Sequence, residues 1–176
     1  ILTSTDFCIN FAAITDAAGS FENAEQLEAN NFDCTLKMAK ECSKNGVKLI
    51  NLSSTSVYGT QSNLVSEDCS EDDLRPQSPY ASTKLKEEEL IRDMVSKGEL
   101  RSIILRFGTI YGTSPGMRFH TAVNKFCYQA AFEKPITVWS TAYNQKRPYL
   151  DIEDASRALV HVINEDIFDG KTYNVL

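Results

Sequence analysis

Three short apolar runs, separated by longer stretches of helical periodicity, constrain this chain more than any other feature. Residues 6–13 (DFCINFAA) are almost continuously apolar, the pattern of a strand buried on both faces of a parallel sheet, and residues 47–54 (VKLINLSS) and 100–107 (LRSIILRF) read as a second buried strand and a third strand. We expect the first of them to be a central strand. Between the first two, residues 21–45 place Phe32, Leu36, Ala39 and Cys42 on one helical face, with Gly46 as the stop. Ser78 and Pro79 supply an N-cap and a first-turn proline for a second, charged helix that Gly98 ends. Parallel strands must be joined by long crossovers, usually helices, so this order predicts a doubly wound α/β fold.

Beyond the third strand, Pro115-Gly116 introduces a helix over about 117–133, and residues 135–139 (PITVW) read as a short strand. A helix over 152–164 is capped by Asp151, and residues 172–176 are apolar and extended. These read as elements added at the far end of the sheet, with no internal repeat, low-complexity segment or linker.

The net charge of −6 offers no general attraction for nucleic acid or an anionic membrane, so an anionic ligand must be met by local cations. No apolar run reaches the roughly 20 residues of a membrane span, and Ile1 to Asn10 lack the zones of a secretory signal, so we expect a cytoplasmic protein. The five cysteines form no Cys-x-x-Cys pair and read as reduced, buried or neutral thiols. His120 and His161 are isolated from any carboxylate pattern and suggest no metal site. The run Glu87-Glu88-Glu89 reads as a solvated helix face, and Phe126, Tyr128, Phe132 and Trp139 as core or subunit-contact residues.

Tyr80 and Lys84 stand four apart on the second helix and therefore share a face. A phenol with a pKa of about 10 is a poor base at neutral pH, but an adjacent ammonium stabilises the phenolate and moves it toward the working range. The spacing alone is equally that of a solvated face. Its setting adds weight, because Ser53-Ser54-Thr55-Ser56-Val57-Tyr58-Gly59 lies where the preceding strand ends, and ligands bind at the carboxyl ends of parallel strands.

Together these segments resemble the extended short-chain dehydrogenase/reductase family, the NAD-dependent nucleotide-sugar epimerases and dehydratases, over essentially the whole chain. Residues 6–13 are similar to the family's strand that ends in two alanines against the cofactor, here Ala12 and Ala13. Asn31-Phe32-Asp33-Cys34-Thr35 resembles its Asn-x-x-Gly-Thr segment, with Cys34 in place of glycine, and residues 53–59 its Ser-Ser-x-x-Val-Tyr-Gly motif. Residues 76–84 (PQSPYASTK) resemble the approach to the active-site helix, and residues 105–112 (LRFGTIYG) the following strand and loop, with Thr109 where members often carry Asn. Arg147 to Asp154 is similar to the segment whose arginine contacts a sugar-nucleotide diphosphate.

The resemblance implies a Rossmann-like sheet with Ser54, Tyr80 and Lys84 as catalytic triad. It also implies NAD, with NADP left open, bound by Ala12, Ala13, Asn31, Ser53, Tyr80, Lys84, Phe107 and Thr109. Thr55, Arg118, Asn124 and Arg147 would face a nucleotide-sugar substrate, and a homodimer is implied. Residues 1–112 would be the later part of the cofactor domain and residues 113–176 a partial substrate-binding extension. The glycine-rich turn that a dinucleotide's pyrophosphate requires does not occur, the first of the eight glycines being Gly19. We therefore expect an internal piece of a longer protein.

The family's sugar 4,6-dehydratases place an acid within two residues of the active-site serine or threonine, whereas here those residues are Thr55 and Ser56. A hydroxyl does not replace a carboxyl in proton transfer, which favours epimerisation through a transient keto sugar. A reductase, dehydrogenase or dehydratase of the same fold stays open, as does a non-catalytic relative that binds the dinucleotide for regulation.

Overall fold

Along β2 (Lys48–Ser54) and β3 (Ser102–Phe107), apolar side chains go to both faces of a parallel sheet. The computed structural model, which describes residues 4–15, 21–61, 64–119 and 121–176, orders that sheet β1 (Phe7–Asn10), β2, β3, β6 (Thr172–Val175). Every neighbouring pair is parallel. Leu49 and Ile104 pack with Ala39 and Cys42 of α1 (Ala24–Asn45) and with Ile91 and Met94 of α2 (Pro79–Ser96). Ile50, Ile103 and Leu105 go the other way, onto Leu150 and onto Ala155 and Val162 of α4 (Ile152–Asn164). Each of these buried aliphatics contributes on the order of 1.5–3 kcal/mol. Helices on both faces make the expected doubly wound α/β arrangement.

The helix boundaries follow their local chemistry. Gly46, at φ 67°, takes the left-handed conformation that closes α1. Ser78 Oγ accepts from the Ala81 amide to open α2, and Asp151 Oδ1 accepts from the Glu153 amide to open α4.

Several expectations fail here. Among the described residues β1 pairs with β2 alone and is half-buried, so in the sheet this chain forms it lies at the edge and not at the centre. Residues 135–139 form no strand: Ile136, Val138 and Trp139 are exposed, and none of them finds a ladder partner. The helix expected over 117–133 is the shorter α3 (Ala122–Ala131), which has no fully buried residue. Phe119 and Phe132 flank Tyr128, with ring centroids 5.0 and 4.8 Å away. Phe132 and Trp139 are exposed and Phe126 and Tyr128 half-buried, so none of the four aromatic residues expected in the core or at a subunit contact is in the core. Two short strands, β4 (Thr109–Tyr111) and β5 (Tyr149–Asp151), form a separate parallel ladder that composition did not reveal.

The run 87–89 divides. Glu89 is exposed, but Glu87 and Glu88 are completely buried against the sheet. The reason is Arg106, which alternation in β3 turns onto the same face as Ile104 and which is itself buried. A buried guanidinium needs a buried acid. Glu88 provides it through Arg106 Nη2 at 2.6 Å and Nε at 2.9 Å, and burial works against its carboxylate, but bonds from Arg106, Ser53 and Arg92 hold it below the usual range.

Candidate active site

The carboxyl end of β2 runs directly into a short 3-10 turn at Thr55–Tyr58, with Ser54 as its cap, Oγ accepting from the Ser56 amide at 3.2 Å. Val57 and Tyr58 bury themselves, and the Tyr58 hydroxyl accepts from Arg106 at 2.7 Å and donates to Asn174 at 2.9 Å. Gly59 then passes so close to Arg75 that a Cβ there would stand 2.1 Å from the Arg75 carbonyl oxygen. The serine-rich motif is thus a turn fastened at three points, which fixes where Ser54 sits.

A cavity of about 720 Å³ opens at this end of the sheet. Ser54, Thr55 and Ser56 line it on one side, Thr109 of β4 on another, and Lys146 and Arg147 on a third. Among the described residues no carboxylate lines it, although the whole chain carries a net charge of −6. Arg147 is exposed and bonded to Gln145 Oε1 at 3.0 and 3.2 Å, so its guanidinium keeps donors for a ligand. Thr55 Oγ1 donates to the Phe107 carbonyl at 3.3 Å.

Tyr80 and Lys84 follow on α2, which packs against β2 and the 3-10 turn. Lys84 is buried, with Nζ 6.0 Å from the centre of the Tyr80 ring, yet its ion pair is with Glu87, at 2.9 Å. The expected downward tuning of Tyr80 is therefore absent in this arrangement. Burial pushes the phenol up to about 12, Glu87 adds to the rise, and Arg118 opposes it. Glu87 is itself pushed up by burial, with Lys84 pulling against that rise.

Other expected contacts land elsewhere. Asn31 is buried and clamps the Ile14 peptide, accepting from its amide at 2.8 Å and donating to its carbonyl at 3.0 Å. It fixes the chain after Ala12 and Ala13. Ser53 is buried and donates to Glu88, so it braces α2 against β2. Phe107 is a core residue. Asn124 accepts from the Gly112 amide and donates to the Arg118 carbonyl, which commits it to the loop before α3. Arg118 is exposed at that loop, within electrostatic reach of Tyr80. His120 lies outside the described residues. His161 is exposed on α4, and no cluster of three metal-ligating side chains occurs among the described residues. Of the free cysteines, Cys42 is pushed up to about 12 by burial, with Cys8 adding, whereas Cys127 is exposed.

A parallel sheet covered on both faces, with a polar cavity at the carboxyl ends of its strands, defines a ligand-binding doubly wound α/β protein. Residues 2–175 match the NAD dependent epimerase/dehydratase family, and the chain belongs to that family. It is similar to an uncharacterized UDP-glucose epimerase of Bacillus subtilis strain 168, at 30% identity over 99% of this chain and 54% of that protein. A UDP-glucuronate 4-epimerase of Thermodesulfobacterium geofontis is 31% identical, over 86% of this chain and 46% of its own length. The crystal structure of a UDP-glucuronic acid 4-epimerase from Bacillus cereus, in complex with UDP-glucuronic acid and NAD, is similar with a TM-score of 0.85 at 29% identity. That match covers 99% of this chain and 55% of that one. The chain spans about half the length of the relatives it matches. No helix among the described residues is long and apolar enough to cross a membrane.

Proposed function

We propose that this chain carries the acid–base part of an NAD-dependent UDP-sugar 4-epimerase that works through a transient keto sugar. The observation that carries the reading is the composition of the cavity: three hydroxyl side chains at the end of β2, two cations across from them, and, among the described residues, no acid. Those cations suit a diphosphate, which a guanidinium can grip with two parallel bonds. With no acid beside Ser54, the group a dehydratase needs to expel water is not supplied by Thr55 or Ser56, which favours epimerisation or simple oxidation and reduction, and the epimerase names of the relatives favour the first.

The residues present fit the nicotinamide end of NAD. Beyond Phe11 the segment after β1 carries the small Ala12 and Ala13 and is held by the Asn31 clamp. Ser54 caps the turn at the carboxyl end of β2, and Tyr80 stands at the start of α2, which packs against that strand and turn. When bound, NAD supplies reversible hydride transfer at its nicotinamide ring. Tyr80 takes the proton from the hydroxyl on the reacting sugar carbon and later returns it. Ser54 donates a hydrogen bond to that same oxygen and so holds it in register with Tyr80. Arg147, with Lys146, would retain the nucleotide end while the keto sugar turns over, so that the opposite face of the same carbon is presented for reduction while Tyr80 returns the proton to its oxygen. The UDP-glucose and UDP-glucuronate names of the relatives favour those two sugars as substrates.

Tyr80→Phe removes the proton-carrying oxygen and little volume. In the full-length protein supplied with NAD and either UDP-sugar, turnover is expected to fall by about 100-fold or more, with substrate affinity changed only a few-fold. Turnover that survives the substitution overturns the role given to Tyr80.

A further inference from the structure

The motifs that define the active site leave Glu87 out, yet it is completely buried and its carboxylate binds Lys84 Nζ at 2.9 Å. Its neighbour Glu88 is answered by Arg106 and Arg92, so Glu87 has no share in those cations. Its other oxygen, Oε1, is buried with no hydrogen-bond partner among the described residues. Near it stands Thr35 of α1, whose hydroxyl accepts from Asn10 of β1 at 3.0 Å, and the same Asn10 amide nitrogen donates to Asn51 of β2 at 3.2 Å. Lys84 is therefore the ion-pair partner of Glu87, which lies beside a buried polar group drawn from α1, β1 and β2. We propose that Glu87 is a positioning residue which, by holding Lys84, sets the proton affinity of Tyr80 and with it the pH range of turnover. The proposal rests on the reading of Tyr80 as the acid–base group.

The charges around Tyr80 can be enumerated among the described residues. From α2 come Lys84, Glu87 and Glu88, the last already paired, and from the loop before α3 comes Arg118. α1 contributes the neutral Thr35 here, its Glu28 being paired with Lys86 at the surface. β2 contributes the neutral Asn51 and Ser53. Seen from Tyr80, Lys84 and Glu87 form a dipole whose two ends oppose each other. This matches the rise of the phenol, driven by burial first and by Glu87 next. Neutralising Glu87 leaves the Lys84 charge unopposed and lowers the proton affinity of Tyr80.

The test is the pH dependence of kcat for epimerisation in the full-length protein. Glu87→Gln is expected to move the acid limb down by about one pH unit, the lower end of what one nearby charge does. A folded Glu87→Gln protein with an unmoved limb overturns the inference. If that variant does not fold, Glu87→Met, close in volume and uncharged, is compared with Glu87→Asp, which keeps the charge. The acid limb should lie lower in Glu87→Met by about one pH unit, and equal limbs overturn the inference. Tyr80→Phe separates the two levels. Survival of turnover in it removes the acid–base reading, whereas a dead Tyr80→Phe with an unmoved Glu87→Gln limb removes only the role of Glu87.

Discussion

Single residues in this site are fixed by contacts that a motif string does not display. Gly59 is the clearest: φ is 63°, and an added Cβ would stand 2.1 Å from the Arg75 carbonyl oxygen, so backbone strain and a backbone clash coincide. Gly59→Ala is expected to cost about 2 kcal/mol or more, read as a lower urea midpoint. A midpoint equal to that of the unmodified protein would show that the Arg75 loop yields. Val57 and Tyr58, between Ser54 and Gly59, are legible as part of a motif. Their reason is legible only in three dimensions, where Tyr58 ties the turn to Arg106 and to Asn174 on β6. Asn31 shows the converse, since a residue expected at the cofactor turns out to hold the backbone of Ile14.

At the scale of elements, α2 carries both the proposed chemistry and a buried electrostatic brace to β3. Arg106–Glu88 is a pair whose disruption on one side leaves an uncompensated charge, so Glu88→Gln is expected to cost about 3–5 kcal/mol at neutral pH. The sign of its pH dependence follows from the direction of the Glu88 shift. A carboxyl held low in the folded protein contributes stability that is complete above its unfolded pKa and is lost as pH falls through the depressed folded value. Urea midpoints of the unmodified and Glu88→Gln proteins should therefore converge at acid pH, and a constant gap would contradict the assignment. Charge composition alone made this helix face look solvated, because three adjacent acids do not say which way they point. The usable signal was in the partner strand: Arg106, between Leu105 and Phe107 within the buried span of β3, requires an acid from the helix that covers it.

For the whole molecule, the alternation of apolar runs with helical periodicity was enough to specify a parallel sheet with helices on both faces, because few other arrangements bury all of those faces at once. The positions of Ser54, Thr55, Thr109 and Arg147 around one cavity agree with the order of motifs along the chain. What could not be read were short or exposed pieces. β4 and β5 are three residues each and draw their stability from pairing, while residues 135–139 have strand composition without a ladder partner. The pairing of Lys84 with Glu87 was equally hidden, since spacing places both on α2 but does not reveal their burial. The central claim, reversible oxidation with return of hydride to the same sugar carbon, is tested by supplying the full-length protein with NAD and a UDP-sugar deuterated at C4. Proton and deuterium NMR should show the inverted sugar with the label kept at C4 and no accumulation of reduced cofactor. Loss of the label to water, net NADH, or a dehydrated product would contradict it.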